Sequence, residues 1–142
     1  MKERKFTKIL RFKALFIKLK LPAISKGLDL IYRIVFSCDI PSSVVIGKGC
    51  KFAHSGLGCI FHPRVHMGEN CKIFQNTTIG TQNGYGPPIL GNNVYVGTGA
   101  CILGDIKIGN NVKIGAHAVV LVDVPDNCTV LGIPGEIFKE NS

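Results

Sequence analysis

From Ile40 onward an apolar residue falls due every six positions along this chain. The due positions are Ile40, Ile46 and Phe52, then Phe61, Met67, Ile73 and Ile79, then Leu90, Val96, Ile102, Ile108, Ile114 and Val120. All thirteen are apolar. With apolar residues near half of the composition, chance would give such a run on the order of once in several thousand. Glycine follows directly at Gly47, Gly68, Gly80, Gly91, Gly97, Gly109 and Gly115. A small or branched residue recurs four places on, at Val44, Cys50, Cys71, Thr77, Val94, Ala100, Val112 and Ala118.

A period of six is not a multiple of 3.6, and Gly-rich segments are poor helix formers, so this pattern is not helical. Each hexapeptide predicts one short strand and one turn, with the due residue pointing inward. Glycine beside it is expected to take backbone angles that a side chain would forbid. Stacked turn on turn at about 4.8 Å, such units bury one continuous core. The fold class is therefore an all-β solenoid, a parallel β-helix of hexapeptide repeats.

Two interruptions break the phase. Phe52 and Phe61 are nine positions apart, which makes His54–Cys59 an excursion. Ile79 and Leu90 are eleven apart, which makes Gln82–Pro88 a projecting loop. Insertions in a solenoid emerge as surface loops, often on the binding side.

Ahead of the repeats lies a different kind of sequence. In residues 1–37, Ile9, Leu10, Phe12, Leu15, Phe16, Leu19 and Leu21 are interleaved with Lys and Arg, and Pro22 ends the run. A second helix is expected from about Ile24 to Phe36. The division is thus a helical arm at 1–37, a repeat domain at 38–136 and a tail at 137–142. The net charge is +8 at pH 7, and residues 1–33 carry all of it, with ten Lys and Arg against Glu3 and Asp29. Apolar runs this short and this interrupted neither span a bilayer nor form a signal peptide. Two readings of the arm stay open. It caps the open end of the solenoid, or residues 1–21 lie on an anionic membrane surface. No nucleic-acid motif accompanies the charge.

The six cysteines, Cys38, Cys50, Cys59, Cys71, Cys101 and Cys128, include no close CxxC pair. Cys50 and Cys71 fall at inward small positions. Reduced core thiols, and with them a cytoplasmic setting, are the expectation.

The strings CDIPSSVVIGKG, FAHSG, FQNTTIGTQNG, GNNVYVGTGACILGDIKIGNNVKIGAHAVV and DVPDNCTVLGIPG carry a family resemblance. From Cys38 to Glu136 the chain resembles the hexapeptide-repeat acyltransferases, within them the serine acetyltransferase-like branch. The resemblance implies a left-handed β-helix, a homotrimer with active sites between subunits, and acetyl-CoA as co-substrate. It places the general base on His54 and the aspartate that orients it on Asp39, fifteen residues earlier. It also implies that acetyl-CoA lies along Gly80, Gly99, Ala100, Gly115 and Ala118, where small residues let the pantetheine arm approach the backbone.

Departures from the family bear on the acceptor. Serine acetyltransferases have an acidic residue just before the catalytic histidine, and Ala53 stands there. They carry an Arg-His pair in the projecting loop, which here reads Gln82-Asn83-Gly84-Tyr85-Gly86-Pro87-Pro88. With those grips on an amino acid absent, Ala53 and Tyr85 are expected to border an acceptor of another kind, the hydroxyl of a sugar or surface-polysaccharide precursor. Serine itself is the alternative. A zinc enzyme of the β-helix carbonic anhydrase type is a further alternative, but His62 and His66 lack that family's spacing and no third ligand falls in register, so no metal site is expected. A non-catalytic β-helix is the remaining class.

Overall fold

The structure is a computed structural model that describes residues 2–139. Two helices come first, α1 at Lys2–Lys18 and α2 at Pro22–Phe36. Pro22, expected to end a helix, instead opens α2 from its first turn, where its missing N–H costs nothing. Fourteen short strands follow. They are β1 Val45–Ile46, β2 Lys51–Phe52, β3 Ile60–Phe61, β4 His66–Met67, β5 Lys72–Ile73, β6 Thr78–Gly80 and β7 Ile89–Leu90, then β8 Tyr95–Val96, β9 Cys101–Leu103, β10 Lys107–Ile108, β11 Lys113–Ile114, β12 Val119–Val120, β13 Cys128–Leu131 and β14 Glu136–Lys139.

These strands stack into three sheets, ordered β1-β4-β7-β10, β2-β5-β8-β11-β13-β14 and β3-β6-β9-β12. All pairings are parallel except the last, β13 with β14. Partners on successive coils are 18 residues apart where the chain is uninterrupted, as at Ile60 with Thr78 and Tyr95 with Lys113. They are 21 apart across the excursion (Lys51 with Lys72) and 23 apart across the loop (Lys72 with Tyr95). Both phase breaks are therefore insertions, and the last coil is shortened, with Lys113 and Thr129 only 16 apart.

The due residues fill the interior as the pattern requires. Twelve of the thirteen are buried, and Ile46 is half-buried at the rim beneath α1. The eight small or branched positions from Val44 to Ala118 are buried as well. Glycine's role differs from the expectation. Gly47, Gly68, Gly91, Gly97 and Gly109, which follow due residues, do not have positive φ. A β-carbon at Gly68 would lie 2.5 Å from the carbonyl oxygen of Gly91, and one at Gly97 would lie 2.5 Å from the amide nitrogen of Ala116. Closeness of the next coil, not backbone angle, demands glycine there. The left-handed corners are made largely by asparagine, with φ near 57° at Asn70, Asn93, Asn111 and Asn127, and by Gly49, Gly58 and Gly99, none of which follows an inward residue. Asparagine tolerates that region because its short polar side chain bonds locally. Asn93 donates to Asn111 at 3.0 Å and Asn111 to Asn127 at 2.9 Å, a ladder down one edge.

The arm caps the N-terminal end of the coil. Phe6 and Leu10 of α1 are buried in the mouth of the core, and the Phe6 ring meets Phe52 at 5.8 Å and Phe36 at 5.2 Å, both edge-on. Thr7 Oγ1 donates to the carbonyl of Cys50. The ammonium of Lys13 is buried against Asp29 at 2.7 Å and the carbonyl of Ile40 at 3.0 Å. At the other end, residues 137–139 of the expected tail belong with Glu136 to strand β14, which folds back on β13. That turn gives the last parallel strand a partner and closes its edge. The rest of the expected tail, residues 140–142, lies outside the described residues. Among the described residues no helix is long and apolar enough to cross a membrane.

Candidate active site

Three extra residues, His54, Ser55 and Gly56, bulge from the first full coil. The register shows it: the amide of Asn76 donates to the carbonyl of Leu57 at 2.8 Å, so Leu57 takes the corner place that Gln75 takes on the next coil. Ala53 before the bulge and Cys59 after it are both buried, which pins its two ends. Between them His54 (φ 50°, ψ 34°) and Ser55 (φ 55°, ψ 33°) are consecutive non-glycine residues in the left-handed region. Each such residue costs roughly 1–3 kcal/mol, and strain of this kind collects at functional sites. Gly56 follows at φ 69°, and a β-carbon there would come within 2.9 Å of Phe6. The bulge is held by Leu57 N–H to the His54 carbonyl at 3.2 Å and by Cys59 N–H to the Gly56 carbonyl at 2.9 Å. What this presents to solvent is the imidazole of His54, which is exposed.

Asp39 reaches the C-terminal end of the bulge segment from α2. Ser37 ends that helix in the left-handed conformation (φ 49°) and turns the chain back. Ser37 then accepts from Gly58 N–H, and Asp39 N–H donates to Cys59, each at 2.8 Å. Asp39 is thereby paired in register with Ile60, at the head of the sheet β3-β6-β9-β12. Its carboxylate Oδ2 lies 2.6 Å from Arg33 Nη2. No hydrogen bond joins Asp39 to His54 in the described residues; the arginine occupies one oxygen instead. The thiols on either side are protonated at neutral pH. Burial pushes the Cys59 thiol up to about 11 and also raises that of Cys38.

Below the bulge one edge runs down the molecule. Gln75, Thr98 and Ala116 succeed Leu57 on it, joined by Gly99 N–H to the Gln75 carbonyl and His117 N–H to the Thr98 carbonyl. Gly99 and Gly115, two of the residues expected to border the cofactor, lie on this edge. Ala100 and Ala118 adjoin it, but both residues are wholly buried in the core. Gly80 stands apart, at the far end of β6 beside Leu103. Ala53, expected at the acceptor, is likewise buried and offers it no side chain. Tyr85 is 70% exposed on the 82–88 loop, at a different corner from His54. Arg33 was legible in sequence only as one charge among ten. Gln75 Oε1, a buried oxygen without a hydrogen-bond partner among the described residues, carried no sequence signal at all.

Stacked hexapeptide coils, a helical cap and a strained histidine bulge define a hexapeptide-repeat transferase class. The model of the bacterial transferase hexapeptide (six repeats) matches residues 87–121. The serine acetyltransferase of Synechococcus elongatus is 42% identical over 122 residues, 84% of this chain and 50% of that protein. Among solved structures, Neisseria gonorrhoeae serine acetyltransferase in complex with serine superposes with a TM-score of 0.87 at 30% identity, over 94% of this chain and 55% of that one. A serine acetyltransferase in complex with CoA gives a TM-score of 0.85 at 28% identity, over 94% and 55%. The chain belongs to the left-handed β-helix acyltransferases and is serine acetyltransferase-like. It spans about half the length of the relatives it matches.

Proposed function

We propose that the chain transfers acetyl from acetyl-CoA to a hydroxyl, with His54 as general base and Asp39 as the residue that orients it. The observation that carries this reading is the three-residue bulge, which holds an exposed imidazole in strained backbone on the segment whose far end, at Cys59, bonds the backbone of Asp39. A hydroxyl is too weak an acid to attack a thioester unaided. His54 takes its proton as the oxygen bonds to the acetyl carbonyl carbon. Backbone N–H groups along the groove stabilise the oxyanion. Collapse then breaks the C–S bond, and the departing thiolate recovers the proton from the imidazolium. A carboxylate behind the ring selects its tautomer and stabilises its charged form.

L-Serine is the acceptor that the comparisons favour, and the solved relatives that hold serine and CoA support both substrates. The sugar acceptor rests on Ala53 and the uncharged 82–88 loop alone, and the comparisons lend it no support. It remains the second reading. A homotrimer suits the apolar sheet face bearing Ile60 and Val119, since a second subunit would cover that face and wall the groove beside His54. Six free thiols, five of them buried, suit a reducing cytoplasm. For membrane contact by residues 1–21 the support is limited to exposed Phe12, Leu15, Ile17, Leu19 and Leu21 among lysines, whereas capping already accounts for Phe6 and Leu10.

The test is release of free CoA thiol from acetyl-CoA, with L-serine and a panel of glycans as acceptors. His54→Ala is expected to remove at least 99% of turnover, in line with the 10²–10⁴-fold worth of a positioned base. Unchanged turnover in this variant would end the assignment. Turnover on a sugar with none on serine would transfer the proposal to the second reading.

A further inference from the structure

We infer that Arg33 is a positioning residue for the reaction, acting through Asp39: it holds one carboxylate oxygen so that the other is left to accept the ring N–H of His54. The inference rests on the pairing of His54 with Asp39 proposed above.

A carboxylate has two oxygens and rotates freely about its last bond. For it to orient an imidazole, something must fix that rotation. Arg33 Nη2 is 2.6 Å from Oδ2, while Oδ1 has no donor among the described residues. The backbone of Asp39 is fixed separately, by Asp39 N–H to Cys59 and by Phe61 N–H to the Asp39 carbonyl, both at 2.8 Å. The main chain and one oxygen are thus engaged, and the other oxygen is left as an acceptor.

Arg33 is itself well placed to be a fixed point. It sits in the last turn of α2, between Tyr32 and Phe36, whose rings stack at 5.2 Å. Phe36 in turn packs against Phe6, which also backs Gly56 of the bulge. One small aromatic cluster therefore sets the helix that carries Arg33 and the bulge that carries His54. The left-handed Ser37 brings Asp39 back beside Arg33 only six residues later. As a stability device the pair has little value: it is solvent-exposed, and exposed ion pairs contribute about 0–1 kcal/mol. Its geometry is what the site can use.

Arg33→Met, Arg33→Lys, Asp39→Asn and the double variant Arg33→Met/Asp39→Asn are assayed for thiol release alongside His54→Ala. Arg33→Met is expected to lower kcat about tenfold, with KM for acetyl-CoA within twofold of the parent and the melting temperature nearly unchanged. Arg33→Lys, which restores a charge but not the fork, is expected to recover part of the loss. Because Arg33 acts through Asp39, its removal should cost nothing more once Asp39 is Asn. Full additivity in the double variant, or wild-type kcat for Arg33→Met, would overturn the inference while an inactive His54→Ala left the general base standing. An active His54→Ala would instead remove the reading beneath both. If Arg33→Met failed to fold, Arg33→Lys against Asp39→Asn supplies the same cycle, and additivity there would count equally against the inference.

Discussion

Lys13 Nζ lies 2.7 Å from Asp29 Oδ1, with the lysine side chain 2% exposed, and this buried pair ties the helical arm to the first coil. Asp29 also accepts from the hydroxyl of Ser42 at 2.6 Å and its backbone amide at 3.2 Å, while the ammonium sits 4.7 Å from the centre of the Tyr32 ring. A single residue on each helix is thereby joined to the turn at 41–44. Removing Lys13 leaves the Asp29 carboxylate, 27% exposed and still bonded by Ser42, without its cation. Lys13→Met is therefore expected to lower the unfolding free energy by about 1–3 kcal/mol, and Lys13→Met/Asp29→Leu to recover most of it. Urea midpoints of the three proteins check this; a single variant as stable as the parent would show that the arm docks without the pair.

Close coil-on-coil approach makes Gly68 intolerant of any side chain. A β-carbon there would meet both the Gly91 carbonyl oxygen at 2.5 Å and the Asn92 side-chain oxygen at 2.5 Å. Gly68→Ala is expected to cost more than about 2 kcal/mol, since backbone on both coils must shift. Gly84 is the control. It has φ 81° on the projecting loop with nothing within 4 Å of an added β-carbon, so Gly84→Ala should cost only about 1 kcal/mol, the strain of its own backbone. Equal losses in thermal unfolding would contradict the distinction.

Burial of Cys59 gives stability a dependence on alkaline pH. Its folded-state thiol is pushed up to about 11, so between roughly 9 and 11 the unfolded chain loses this proton while the folded one keeps it. The unfolded state then binds fewer protons, and stability falls as pH rises through that window. The loss is on the order of 2 kcal/mol, and Cys59→Ala should flatten the curve relative to the parent. Denaturant unfolding at pH 8 and pH 10.5 measures it. Parallel curves for the two proteins would show that other groups govern the alkaline slope.

Inward residues were readable from sequence because the constraint on them is periodic. A coil that repeats every six residues along each face must present an apolar side chain at every sixth place, whatever its neighbours are. The same regularity exposed both insertions as breaks in phase, and the lengthened registers of 21 and 23 residues agree with them. Which residue inside the first break mattered came from family resemblance rather than periodicity. The strained angles of His54 and Ser55 became visible only with the backbone in place.

What sequence determined by itself was the repetitive part: the solenoid, its core, its interruptions and the helical character of the arm. Tertiary structure decided whatever depends on one coil meeting the next or on one segment meeting a distant one. Glycine after the inward residues looked like a conformational need and, at every such position except Gly80, is a steric one, because the clashing atoms belong to the next coil. Lys13 looked like a surface charge and is buried, because Asp29 and Ile40 reach it only after the arm folds over the open end. Arg33 looked like one more basic residue and pairs with Asp39, because a single left-handed turn at Ser37 folds the chain back. Composition and period describe what a residue prefers on average; its partner is set by packing in three dimensions, and chemistry at this site depends on partners.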